Sequence, residues 1–161
     1  DDGVLTWARD DYETNGDDGT CRGIIFNSAN NSLHVVFTAT GTQGNSNTDY
    51  RRFTQNGWLS SYGQGGGPRV VVLAQINPEN GDPIAGTYVY AKLSNGDTNS
   101  LEATSLDYQN DAIVLNASSF FSPLKVDKSS FNCSGSSPFD YTVSFNLGLT
   151  EALSTSSSDC E

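Results

Sequence analysis

The segment Tyr141–Leu149 constrains the fold more than any other part of the chain. Its odd-numbered residues are all apolar, and its even-numbered residues are small or polar. Strand side chains alternate between two faces, whereas a helical period would scatter the same residues around a cylinder. The spacing therefore predicts one long strand with a single apolar face, covered by earlier parts of the chain or by another subunit.

Further apolar runs recur at short intervals, and clusters of Gly, Asn, Asp and Ser separate them. This pattern is typical of tight turns between short strands and unfavourable for long helices. It predicts an all-β fold, an antiparallel β-sandwich or blade-like sheets with long Gly/Asn/Ser-rich loops. The predicted strands cover residues 4–8, 21–26, 33–40, 70–76, 87–93, 101–106 and 112–115, in addition to 141–149. Of these, residues 21–26 are expected to form a buried strand, and residues 70–76, which are apolar on both faces, are expected to lie centrally in a sheet.

At 161 residues, the chain is expected to form a single β domain, residues 1–161. The two terminal segments have distinctive sequences: residues 1–9 contain an apolar run, and residues 152–161 are rich in serine. Both segments are candidates for exchange between subunits or for anchoring by a partner.

The net charge of -11 and the sequence pI of about 4.2 make nucleic acids and anionic membranes unfavourable partners. Both would need a basic surface, which a chain this acidic is not expected to have. No run of about 18 apolar residues exists, so no membrane span is predicted. Scarce lysine, acidity and abundant Asn, Ser and Thr are typical of secreted proteins, which predicts an extracellular or cell-surface location.

Three cysteines, Cys21, Cys133 and Cys160, allow one disulfide and leave one thiol. Cys133 and Cys160 bracket the C-terminal strand, so a bridge between them would hold the tail. Cys21 with either partner is the alternative, and the remaining thiol is either buried or paired between subunits. A zinc site is disfavoured because there is one histidine and no Cys-x-x-Cys spacing.

An acidic loop places oxygen ligands at alternate positions, as the first half of a calcium loop does. The candidate calcium ligands are Asp11, Glu13, Asn15 and Asp17. Arg22 occupies the twelfth position, where a bidentate glutamate is needed, so an ordinary acidic turn is the alternative. No other cofactor is predicted.

Three sequons predict N-glycosylation at Asn30, Asn116 and Asn132. A chain this rich in Asn, Ser and Thr contains two or three sequons by chance, so their use depends on the host. Glycans are therefore predicted partners only through these sites or through a sugar-binding surface.

Residues 41–67 form a long segment that is rich in Gly, Asn, Ser and Gln. It contains Tyr50, Trp58 and Tyr62, and exposed rings in such a loop serve as stacking platforms for sugars. The alternative is that these rings cover the end of the sandwich. Loops of this length without secondary structure are unusual, so a function or short unrecognised strands are expected.

No catalytic constellation is evident, so the chain is predicted not to be an enzyme. His34 is the only histidine, and its strand position opposite Leu33 and Val35 predicts an exposed side chain. No Ser-His-Asp arrangement and no Gly-x-Ser-x-Gly motif can be assembled around it.

Residues 17–89 resemble a repeat of the SBBP type, which is found in bacterial extracellular β-propellers. The similar elements follow the family's order, from an acidic turn through two strands to an apolar strand before Asn-Pro: Gly16–Asp18, Gly23–Ile25, Asn30–Asn31, Val35–Gly41, Val72–Pro78, Gly81 and Gly86–Tyr88. The resemblance implies an outer-surface or secreted setting and blade-like antiparallel sheets. It does not imply a complete propeller, which needs several blades, and it carries over no catalytic residue.

These observations favour a secreted structural subunit of an extracellular filament or layer, self-associating into a homopolymer through sheet edges or terminal strands. The alternative is a carbohydrate-binding, lectin-like module that uses Tyr50, Trp58 and Tyr62. A small hydrolase with a pair of acidic residues ranks third.

Overall fold

The computed structural model describes residues 3–12, 19–39, 45–63 and 69–161, and its regular structure is almost entirely antiparallel strand. The prediction of an all-β sandwich is confirmed. The elements are β1 (Thr20–Asn27), β2 (Ser32–Ala39), α1 (Arg51–Thr54), β3 (Val70–Ile76), β4 (Pro83–Val89), β5 (Ala91–Lys92), β6 (Thr98–Asn99), β7 (Leu101–Gln109), β8 (Ala112–Ser119), β9 (Ser122–Pro123), β10 (Phe139–Phe145) and β11 (Ala152–Ser157).

The first sheet has the strand order β1-β2-β3-β4. All eight residues of β2 are buried, so this strand is covered on both faces. One face is covered near its middle by aromatic side chains, since the rings of Tyr12 and Tyr50 both contact Phe37. Strand β3 is also buried on both sides, which confirms the prediction that residues 70–76 lie centrally in a sheet.

The second sheet has the order β11-β10-β8-β7. Tyr141, Val143 and Phe145 of β10 are almost fully buried on one face, as the alternation predicts. The strand ends at Phe145, four residues earlier than expected. Asn146 stops it because its side-chain oxygen accepts the backbone N–H of Thr150 at 2.9 Å, and this local bond competes with the strand ladder.

A small third sheet has the order β6-β5-β9. Its strands β5 and β6 lie in the connection from the first sheet to the second, and β9 lies in the connection between β8 and β10 of the second sheet. Two backbone bonds fasten the segment around Trp58 to β4 of the first sheet and to the turn between β10 and β11 of the second. Trp58 N donates to Leu149 O at 2.9 Å, and Tyr88 N of β4 donates to Leu59 O at 3.0 Å. Residues distant in sequence therefore close one side of the core.

The two terminal segments differ from the predictions. Residues 4–8 form no strand, and Val4 and Leu5 project from the surface. The serine-rich tail, which contains no core-forming run, instead forms β11 and pairs with β10 of its own chain. Its polar side chains suit an edge strand because only one of the two faces of such a strand meets the core.

Candidate functional site

The link between β8 and β9 presents two consecutive phenylalanines at the surface. Phe120 and Phe121 are 38% and 37% exposed. Two hydrogen bonds hold the link: Ser119 Oγ donates to Phe121 O at 2.8 Å, and Phe120 N donates to Ser100 O at 3.3 Å. The two rings thus stand on a supported backbone rather than on a free loop.

Two adjacent clefts flank this pair of rings, and we call them the paired clefts. The first has a volume of about 410 Å³, and the second has a volume of about 320 Å³. Arg69 lines the first and forms an ion pair with Glu102, while Lys92 lines the second. Apolar ring faces beside polar hydrogen-bonding groups suit the binding of a small apolar group with polar neighbours.

Strand β1 forms an open edge of the first sheet, beside which β7 of the second sheet packs: a Cβ on Gly23 would lie 3.5 Å from Leu106 Cβ. Its Ile24 and Phe26 are 62% and 56% exposed, and within the described residues β1 pairs with β2 alone. The opposite edge strand, β4, is covered in part by the backbone of Leu59. An edge strand with exposed apolar side chains is a template for pairing with another chain. The prediction that residues 21–26 form a strand is confirmed, whereas the expectation of its burial is wrong.

Among the described residues, the hydrogen bonds that hold the N-terminal segment begin at Trp7. Trp7 Nε1 donates to Pro78 O at 2.9 Å, and Tyr12 Oη donates to Gly81 O at 2.9 Å. The Trp7 ring also packs so closely on Gly81 that a Cβ there would lie 2.7 Å from Cε3. Before this anchor, Val4 and Leu5 are 79% and 77% exposed.

The predicted calcium loop falls mostly outside the described residues, since Glu13, Asn15 and Asp17 are not among them. Asp11 is described, and its carboxylate accepts hydrogen bonds from Arg9 at 2.7 and 2.8 Å. The Arg9 guanidinium lowers the pKa of Asp11. Within the part of the chain that the structure describes, no cluster of three His, Cys, Asp or Glu side chains could hold a metal.

The three sequon asparagines occupy different environments. Asn30 and Asn132 are exposed in connections between strands. Asn116 lies in the middle of β8, where its amide donates to Ser105 Oγ at 2.9 Å and accepts from Thr142 Oγ1 at 2.7 Å. A glycan at Asn116 would attach to Nδ2, the atom that donates to Ser105, in the middle of a sheet, so Asn30 and Asn132 are the more accessible candidates.

The disulfide joins Cys133 to Cys160, as the bracketing of the C-terminal strand predicts. Backbone bonds reinforce it, because Asn132 and Glu161 exchange N–H···O bonds of 2.9 and 3.0 Å. Residues 152–161 are thus held by their own chain. Cys21 is a free, exposed thiol on β1, which differs from both of the alternatives of burial and disulfide pairing within the chain.

The candidate sugar-stacking rings are not at the surface. Tyr50, Trp58 and Tyr62 are all buried in the core, so the expectation of exposed platforms is wrong and the alternative of rings closing the sandwich describes them. Trp58 packs on Phe145 with a ring-centroid distance of 5.7 Å, and Tyr62 packs on Tyr88 at 5.9 Å. Glycine-rich sequence around these rings masks their burial because their partners lie far along the chain.

His34 is also buried, which corrects the expectation of an exposed strand residue. The second sheet covers the face of β2 that His34 occupies. Its Nε2 lies 3.0 Å from Leu147 O, and because a carbonyl only accepts, Nε2 carries the proton. Burial lowers the pKa of His34, and the bond to Leu147 partly opposes this.

This burial predicts a pH dependence of stability. Protonation favours the unfolded chain, whose histidine has a pKa of about 6.5. The stabilisation by neutral His34 is complete above that pH and is lost as pH falls through the lower folded-state pKa. We expect urea midpoints to fall more between about pH 7.5 and pH 5 in the wild type than in His34→Gln, which retains an N–H donor. Equal slopes in both proteins would contradict this assignment.

Sequence reasoning missed the exposed apolar side chains that form the paired clefts and the open edge. A signal exists for the phenylalanines: neighbouring residues in extended chain face opposite sides, so Phe120 and Phe121 cannot both enter one core. No comparable signal marks Ile24 and Phe26, because exposure at an edge depends on what lies beside it.

No helix among the described residues is long and apolar enough to cross a bilayer. Comparison with protein families, curated proteins and solved structures finds no match for this chain.

Proposed function

We propose that this protein is a secreted structural subunit that self-associates into an extracellular filament or layer. The observation that carries the proposal is the open edge of β1. Its Ile24 and Phe26 side chains are exposed on a strand that pairs, among the residues that the structure describes, with β2 alone. Natural monomers usually protect such an edge with charges, proline or a covering segment.

The other edges support this choice by contrast. Strand β7 carries Glu102 and Asp107 and has a register irregularity between Ala103 and Ser105. Strand β11 is mostly serine and threonine, with Leu153 as its one exposed large apolar residue. Charges and bulges discourage pairing between sheets. Strand β1 also carries Arg22 and a register irregularity between Cys21 and Gly23, but the stretch from Ile24 to Asn27 is regular and uncharged. That stretch of the β1 edge is therefore the most favourable place for a second copy to add.

A secreted setting is consistent with the Cys133–Cys160 disulfide, since such bonds persist in oxidising compartments. The net charge of -11 keeps isolated copies soluble, and added salt should promote association by screening it. The carbohydrate-binding alternative loses the residues that suggested it, because Tyr50, Trp58 and Tyr62 are buried.

We expect the purified wild-type chain to form multimers in light scattering and extended assemblies in electron microscopy, increasingly so with added salt. Ile24→Lys/Phe26→Lys should remove association through this edge, because a strand addition would bury two charges. Ile84→Lys is the matched control, since Ile84 is 58% exposed on β4 at the covered edge. A wild-type chain that remains monomeric at all concentrations would contradict the proposed function.

A further inference from the structure

The paired clefts and the exposed N-terminal segment lie at opposite ends of the same strand, β3. Arg69, which lines the larger cleft, directly precedes Val70, the first residue of β3. Pro78, whose carbonyl accepts the Trp7 hydrogen bond, comes two residues after its end at Ile76. At about 3.3 Å per residue, the seven residues of β3 separate these positions by about 20 Å.

The structure places Val4 and Leu5 away from the paired clefts of their own chain: both are exposed, and neither lines either cleft. Val4 precedes Trp7 by three residues, a backbone reach of at most about 11 Å even when fully extended. While the segment keeps this position, a contact between it and the clefts joins two copies. Because the two surfaces differ and lie at opposite ends of β3, such a contact is heterologous and builds an open string or, where the rotation closes, a ring.

The chemistry of the two surfaces is complementary. Residues 1–5 read Asp-Asp-Gly-Val-Leu, two carboxylates followed by two apolar side chains. The paired clefts offer the exposed rings of Phe120 and Phe121, and Lys92 forms no ion pair with any described residue. Val4 and Leu5 can cover the rings while an aspartate approaches Lys92, so the rings become less exposed and Lys92 gains an ion pair.

We propose that residues 1–6 of one copy dock in the paired clefts of the next, with Val4 and Leu5 packed against Phe120 and Phe121, joining subunits head to tail. This inference rests on the proposed function and names a contact for it. It is independent of the β1 edge, so head-to-tail strings and lateral association through β1 can be separated by mutation.

The test uses two complementary variants in the Ile24→Lys/Phe26→Lys background, which removes lateral association. One carries Val4→Ser/Leu5→Ser and retains only the clefts; the other carries Phe121→Ser and retains only the segment. Each variant alone should be monomeric, with a mass of 17.2 kDa. Mixing the two should double the mass measured by light scattering, because one variant supplies intact paired clefts and the other supplies an intact segment. Mixtures that remain monomeric would overturn the proposal.

A second measurement covers the case in which Phe121→Ser does not fold. A synthetic peptide of residues 1–6 should shift the NMR signals of Phe120, Phe121 and Lys92 in the Val4→Ser/Leu5→Ser protein. Val4→Ser/Leu5→Ser in the peptide should weaken its binding at least about tenfold, because two apolar contacts are lost. Asp1→Asn/Asp2→Asn should weaken it less and reduce its salt dependence.

Two results distinguish this inference from the proposed function. If the wild type polymerises but the Val4→Ser/Leu5→Ser and Phe121→Ser variants polymerise equally well, the head-to-tail contact is wrong and the structural role survives. If neutral oligosaccharides shift the Phe120 and Phe121 signals and the peptide does not, the clefts are a sugar site and the proposed docking is overturned.

Discussion

Replacing Trp58 with alanine is expected to lower the free energy of unfolding by about 3–5 kcal/mol. The side chain is 3% exposed, and its ring packs against Phe145 in a T-shaped arrangement. Its Nε1–H also donates to Val126 O at 3.1 Å, so truncation leaves a cavity and an unpaired carbonyl. Since whole domains are stable by only about 5–15 kcal/mol, this loss is a large fraction of the total.

Urea unfolding followed by circular dichroism measures this effect without relying on tryptophan fluorescence. Trp7→Ala is the matched control, because Trp7 also donates one hydrogen bond, to Pro78 O, yet it is only partly buried. Its loss of stability should be clearly smaller. A Trp58→Ala protein within about 1 kcal/mol of the wild type would show that the ring does not support the core.

Removing the Cys133–Cys160 disulfide is expected to cost about 3–4 kcal/mol. The two cysteines are 27 positions apart, and closing a loop of that length reduces the entropy of the unfolded chain by this amount in the loop-closure description. The loop contains both β10 and β11, so the bridge holds the edge of the second sheet. The variant Cys133→Ser/Cys160→Ser avoids leaving a thiol that could pair with Cys21.

Cys21→Ser serves as the control for this prediction, since its thiol is free and exposed and its removal should change stability by less than about 0.5 kcal/mol. Adding a reductant should lower the urea midpoint of both the wild type and Cys21→Ser to that of the double variant. A double variant as stable as the oxidised wild type would contradict the expected contribution. Hydrogen exchange should also show increased opening of β11 when the bridge is absent.

Local patterns were sufficient for much of the fold. The alternation in residues 141–145 identified β10, because one face of that strand is buried and the other is not. The continuous apolar run of residues 70–76 identified β3, because both faces of that strand are buried. The position of Cys133 and Cys160 around β10 indicated their pairing. Asn146 was a stop signal that the apolar alternation concealed, since its effect depends on a side-chain bond to Thr150.

The candidate sites were much less predictable, because the sequence around an aromatic ring or an imidazole does not show which distant residues cover it. Trp58 packs on Phe145 of β10, and His34 hydrogen-bonds Leu147 O, so the predictions wrongly placed both side chains at the surface. The reverse error befell Ile24 and Phe26, which belong to an apolar strand but lie at an open edge. The resemblance to SBBP-type repeats remains a prediction.

The amino-acid sequence by itself determined that this chain forms antiparallel strands joined by tight turns, with a C-terminal bridge. Side-chain alternation and turn chemistry act over a few residues and need no knowledge of the rest of the molecule. Only the tertiary structure decided which faces are covered and which edge is open. It also decided that the paired clefts and the N-terminal segment lie at opposite ends of β3. Burial and exposure result from contacts between distant segments, so they emerge only when both sheets are in place.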